Sequence, residues 1–501
     1  MAYGLRSKAL TDFLSRYFDI SSTPFKAGIL GLALVGMSPF VVAADQKASA
    51  NPCNVSEADF AGLNGDLSAD VHAIGNYEGT IAHILKEEKF DQLDCLADRA
   101  RSGKERLPGG IWKIHILYAG LDLPVQSPMH ATHEDWSALL QRLQRWETTR
   151  PKSISARVAL AWAYINYAWD ARGNGMSGTV SGSGWKAFAE RTAEAKRILD
   201  EASTLPAKCP EWYTAMQNVA QNQGWDVAQA RAIYDEAVKF EPGYYYYARN
   251  LASYLLPKWA GQQGDAEKFI QEASDRVGGD QGDILYFEVA ALPGLICGCE
   301  DEPHLSMERI VKGFEASEKQ YGVSTLSLNQ VAYLAAKNKE TDAVVADKAF
   351  ARIGAQWSEE TWEKKEDFDT TKQWAATWAP RVAKTREMEA TAQANMQTPE
   401  GSRYKVAFEK TYRDIVQQCV RSDGDSQTPS EGKFKTFTQV GAKGTIEADA
   451  IYAMNPVTMC VRRKLGLAWR EKSPVFAPPP QAPYWVALEL DWADFVPVAS
   501  K

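Results

Sequence analysis

Between residues 55 and 375 apolar side chains recur at helical spacing, segment after segment, and Pro or Gly stands at most of the breaks. In "DWSALLQRLQRWE" (135–147), Trp136, Leu139, Leu140, Leu143 and Trp146 share one face at spacings of three and four. "ARVALAWAYINYAWDA" (156–171) is richer in apolar residues and predicts a buried helix. "WKAFAERTAEAKRILDEA" (185–202), "EWYTAMQNVAQNQ", "DVAQARAIYDEAVKF", "YYYYARNLASYLL" and "DAEKFIQEASDRV" follow, broken at Pro206, Pro210, Gly224, Pro242, Pro257 and Gly264. Helices joined by such short connections must pack antiparallel to their neighbours. The expected class is therefore mainly α: an array of antiparallel helical hairpins, with a small α+β domain closing the chain.

That last domain follows from a change of period. "KFKTFTQV" (433–440) alternates, and "GTIEADAIY", after Gly441 and Gly444, reads as the second arm of a hairpin. "VTMCVRRKLGLAW" (457–469) is helical in pattern, and "APPPQAP" is a stiff connector. "YWVALELDW" (484–492) places Tyr484, Val486, Leu488, Leu490 and Trp492 on one face of a half-buried strand. The expected organisation is a signal peptide (1–44), a helical domain (45–378), a linker or exposed helix (379–402) and a small α+β domain (403–501).

The N-terminus carries the signature of export. Arg6, Lys8, Arg16 and Lys26 precede the apolar run "AGILGLALVGM" (27–37), and Val42 and Ala44 are small enough for cleavage before Asp45. An uncleaved anchor over 27–44 is the alternative, and the only route to a membrane. The chain carries −8 overall and residues 1–44 carry +2, which leaves −10 for the rest. Such an acidic surface argues against nucleic acid or anionic lipid as the main partner. The expected location is periplasmic or secreted.

All seven cysteines lie after the signal segment. Exported thiols tend to pair. Cys53 with Cys95 and Cys419 with Cys460 are plausible local disulfides, and an odd number leaves one over.

"GNGMSG" (173–178) is a literal G-x-G-x-x-G, but a dinucleotide fingerprint needs a strand before it and a helix opening within it. Here a helical run precedes. The Gly/Ser-rich segment 173–184 reads as a loop, with Gly173 ending one helix and Ser183 capping the next. "HATHED" (130–135), with His130 and His133, and "CGCEDEPH" (297–304), with Cys297, Cys299 and His304, match no complete metal motif. No metal, cofactor or catalytic motif is expected: G-x-S-x-G, H-E-x-x-H, G-x-x-x-x-G-K-[ST] and C-x-x-C are absent from the sequence.

Two resemblances add to this. Ala230, Tyr234 and Ala237 recur 36 positions on as Ala266, Ile270 and Ala273, and Pro242 as Gly278. The pattern resembles the second helix of tetratricopeptide repeats. "AWAYINYAWDARGNGMSGTVSGSGW", Glu211-Trp212-Tyr213, Gly224-Trp225-Asp226 and "YLLPKW" (254–259) resemble a bacterial family of helical domains of unknown function. That resemblance covers about 130–280 and implies a tetratricopeptide-like fold without assigning an activity. Its candidate site residues are Trp169, Arg172, Trp185, Trp225, Asp226 and Trp259. Equally, these are core aromatics, with Arg172 and Asp226 a structural ion pair. Residues 430–492 resemble the C-terminal domain of the TonB energy transducers, which implies a module that binds partners by strand pairing. The function expected is protein interaction or scaffolding with a protein or peptide partner in the cell envelope. The alternative is a hydrolase or carbohydrate-binding protein using a Trp-rich pocket around residues 162–185.

Overall fold

The structure is a computed structural model, and it describes residues 53, 55, 69–124, 131–173, 175–292, 305–338, 342–423, 432–452 and 455–495. The export segment, His130, Asn174 and the 297–304 cluster lie outside the described residues. Eighteen α-helices and a few short antiparallel strands make up the described chain, so its class is mainly α. It divides into two compact units, one ending at Ala376 and one beginning at Thr377.

In the first unit the helices are α1 (Ala69–Lys86), α2 (Phe90–Gly103), α3 (Lys113–Ala119), α4 (His133–Thr149), α5 (Ile154–Arg172) and α6 (Gly182–Ser203). Then come α7 (Pro210–Gln223), α8 (Val227–Phe240), α9 (Tyr246–Tyr254), α10 (Asp265–Val277), α11 (Gly279–Ala290) and α12 (Met307–Tyr321). Helices α13 (Thr325–Asn338), α14 (Ala343–Ile353) and α15 (Glu359–Trp362) complete it, together with the start of α16 (Lys365–Met396). From α4 to α12, successive described helices pack on their sequence neighbours. Two-residue strands β1 (Arg106–Leu107) and β2 (Ile111–Trp112) flank a tight Gly109–Gly110 turn.

Local chemistry sets these boundaries. Thr132 and Asp135 form a reciprocal capping box at the start of α4, and Asp226 and Gln229 do the same for α8. Gly173 closes α5 with φ 71°, a conformation that disfavours any side chain. At the start of α6 the cap is Ser181, whose hydroxyl accepts from Gly184 N at 3.0 Å. Ser183 therefore does not cap this helix. It lies inside the first turn, because α6 opens at Gly182.

The apolar stripes are buried as the sequence pattern requires. Trp136, Leu139, Leu140, Leu143 and Trp146 of α4 are all core residues. Both copies of the repeat, Ala230–Tyr234–Ala237 in α8 and Ala266–Ile270–Ala273 in α10, are buried. Tyr234 meets Phe269 edge-on at 5.1 Å. The Cys53–Cys95 disulfide ties the described N-terminal residues to α2.

The second unit has its own core. Strands β3 (Lys433–Val440), β4 (Ile446–Tyr452) and β5 (Tyr484–Asp491) form an antiparallel sheet in the order β4-β3-β5. Gly444 takes φ 77° beside the hairpin, where a Cβ would stand 1.9 Å from Phe476 O, so only glycine fits. Helices α17 (Pro399–Asp423) and α18 (Pro456–Glu471) are joined by Cys419–Cys460. Phe408, Tyr412, Val416, Val461, Leu488 and Leu490 belong to one apolar cluster. Residues 379–396 are helical rather than extended. Glu389 pairs with Lys435 of β3 at 3.1 Å, and Asn395 Nδ2 donates to Trp485 O at 3.1 Å.

Candidate functional site

Four of the six residues singled out from the sequence converge. Arg172, the last residue of α5, lies with its guanidinium carbon 5.2 Å from the Trp169 ring centroid and 5.2 Å from that of Trp185. Trp169 meets Phe188 edge-on at 5.2 Å and Trp259 at 6.2 Å, and Trp185 meets Phe188 at 5.8 Å. The cause is local: Trp169 and Arg172 are one helical turn apart, and α6 begins after a loop short enough to bring Trp185 back beside them. Arg172 donates to the carbonyls of Gly173 (2.9 Å) and Gly175 (3.1 Å). Burial lowers its pKa. A cation held between indole faces gains from their quadrupoles, more so where water is partly excluded.

Trp225 and Asp226 do other work. Asp226 caps α8 by accepting from Gln229 N at 2.8 Å, while Arg172 donates to backbone carbonyls instead of to this carboxylate. Trp225 donates from Nε1 to Gln223 Oε1 at 3.0 Å, and its carbonyl accepts from Tyr254 Oη. The cluster is only partly core. Trp185 is 38% exposed, whereas the indole Nε1 atoms of Trp169 and Trp259 are buried with no hydrogen-bond partner among the described residues. The described part of "GNGMSG" follows a helix and runs into a short 3-10 turn (Ser177–Thr179), which is not the strand–turn–helix a dinucleotide needs.

The described part of "HATHED" is also occupied. His133 Nδ1 hydrogen-bonds Tyr167 Oη, and Asp135 serves the capping box.

With this geometry in view, no family model, no curated protein and no solved structure matches the chain.

Sequence reasoning missed the polar groups buried beneath the helices. Glu211, at the start of α7, is 1% exposed. His115 Nδ1 lies 2.6 Å from its Oε1, while Trp162 Nε1 (3.0 Å) and Thr214 Oγ1 (2.9 Å) donate to Oε2. Tyr244 Oη donates to Oε1. Burial raises the Glu211 pKa, but the His115 charge and these hydrogen bonds outweigh it and hold the carboxyl below its ordinary range. The available signal was "EWY" itself, a carboxylate in the first turn of an otherwise apolar helix face. Its donors come from α3, α5 and the Tyr-rich stretch before α9, which no spacing links.

Proposed function

We propose that this is an exported protein-interaction or scaffolding protein of the cell envelope. Its helical body is a tetratricopeptide-like array of antiparallel hairpins, and a TonB-like α+β module closes the chain. A peptide or protein partner docks on the Arg172 cluster. The observation that carries the reading is Arg172 flanked at 5.2 Å by two indoles, one of them 38% exposed. Exposed Trp and Arg in a packed setting are the residue types that anchor protein interfaces. The two disulfides fit an oxidising compartment, and no described helix is long and apolar enough to cross a membrane.

The cluster offers aromatic faces and one cation. Asp226, the carboxylate singled out with it from the sequence, is committed to a helix cap instead. A pull-down from the envelope fraction tests the reading. It compares the wild-type chain, Trp169→Ala plus Arg172→Ala, and a chain ending at residue 400. A partner lost with the double substitution supports docking on the helical body. A partner lost only on truncation refutes it.

A further inference from the structure

A second site lies away from the Arg172 cluster and does not rest on it. Between β1 and β2, Gly109 (φ 77°) and Gly110 (φ 75°) make a turn that other residues adopt only with strain. Beside it opens a pocket of ≈ 230 Å³, lined among others by Arg106, Gly110, Tyr245, Gln281, Glu288 and Tyr321. That is below the roughly 300–1,000 Å³ of sites for drug-sized ligands, so it suits a smaller molecule.

Two opposite charges line this pocket. Arg106 lies 3.2 Å over the Trp112 ring and donates to the carbonyls of Gly110 (3.2 Å) and Gly243 (3.4 Å). Among the described residues its hydrogen bonds go to backbone carbonyls and not to a carboxylate. Glu288 is 3% exposed. Its Oε2 accepts from Arg249 Nη2 at 2.9 Å, while among the described residues its Oε1 has no hydrogen-bond partner. Ser317 Oγ, also buried, has none among the described residues either. Both orphan oxygens lie against the pocket wall at Gly110, where a Cβ would stand 3.4 Å from each. Folded proteins rarely leave such atoms unpaired, and each one calls for an explanation. Ile284 and Leu285 supply an apolar side to the pocket.

We infer that this pocket binds a small free α-amino acid with an apolar side chain, its carboxylate on Arg106 and its ammonium on Glu288. A simple anion would satisfy Arg106 but would face Glu288, whose Oε1 the Arg249 ion pair leaves without a donor. A simple cation would do the reverse. A neutral apolar ligand would strip water from both charges and replace it with nothing. A zwitterion places one charge on each, and the apolar wall takes its side chain. Burial raises the Glu288 pKa to about 7, with Arg249 and Arg106 drawing it back. Those two arginines, Tyr245 and Tyr321 are the ionisable groups around it. An ammonium favours the charged carboxylate, so binding at neutral pH releases a proton.

Isothermal titration of the full chain with L-leucine, N-acetyl-L-leucine and L-leucinamide tests this. The expected result is saturable 1:1 binding of L-leucine, weakened at least about tenfold for each blocked derivative. Affinity should rise from about pH 6 to about pH 8 as Glu288 loses its proton. Arg106→Gln and Glu288→Gln should each abolish binding with the helical circular dichroism retained. The derivative comparison on the wild-type chain stands even if a variant fails to fold. Equal binding of all three compounds, or no L-leucine binding at millimolar concentration, overturns the inference.

Discussion

Trp162 of α5 donates its indole N–H to Glu211 Oε2 of α7 at 3.0 Å, joining two helices through residues 49 positions apart and a carboxylate that is 1% exposed. A buried carboxylate with four partners is costly to disturb, because removing it leaves the donors unpaired in low dielectric. Glu211→Ala should destabilise the first unit by about 3–5 kcal/mol in denaturant unfolding. The pH dependence has a definite sign. The folded pKa lies below the ordinary 4.5, so the contribution is complete above about pH 4.5 and is lost as pH falls through the folded value. Glu211→Gln should flatten that acid limb.

Glu78 of α1 behaves in the opposite sense. Burial, and then the like charges of Asp122 and Glu360, raise its pKa to about 8. The folded protein holds this proton while the unfolded chain releases it near 4.5. Stability from this group is therefore complete below pH 4.5 and is lost as pH rises toward about 8. Glu78→Gln should stabilise the chain at pH 8 by something on the order of 1–3 kcal/mol, measured by thermal unfolding, with no gain at pH 4. Equal effects at both pH values would contradict the assignment.

The disulfide between Cys419 and Cys460 closes a loop with 41 residues of separation and ties α17 to α18. On the chain-entropy account, Cys419→Ser plus Cys460→Ser should cost the second unit about 3–4 kcal/mol. A reducing agent should lower the unfolding midpoint of the wild-type chain and leave that of the double variant unchanged in this unit.

Cys209 is a free thiol, 1% exposed, with its sulfur 3.3 Å from Tyr118 Oη. Burial raises its pKa. Thiolate chemistry should be suppressed on both counts. Peptide mapping after alkylation should find Cys209 unmodified in the native protein and modified once it is unfolded. Rapid native labelling would contradict its burial.

Much of the secondary structure was legible because its signal is local. The 135–147 stripe, the break at Gly173 and the alternation of 484–492 each lie within one element, and each is realised. The two disulfide pairs also stand as the sequence spacing suggested. Ser183 misled because several Ser and Gly follow one another between 177 and 184. Which hydroxyl caps α6 depends on where the backbone leaves its extended conformation, at Ser181. The buried polar groups were illegible for a different reason. Arg106, Glu211 and Glu288 are distant in sequence, and each looks like an ordinary surface charge until partners from other helices surround it. Trp225 and Asp226 were grouped with the other four residues by the resemblance alone, and Asp226 is used by its own helix.

The central claim is that a partner docks on the Arg172 cluster, and photo-cross-linking in the intact envelope tests it most directly. Trp185 and Phe240 are each 38% exposed, so a benzoylphenylalanine at either position samples a comparable surface. The account predicts a discrete adduct from position 185, absent from position 240 and lost when Arg172→Ala is added. An adduct that appears equally from both positions, or one that survives Arg172→Ala, would contradict it.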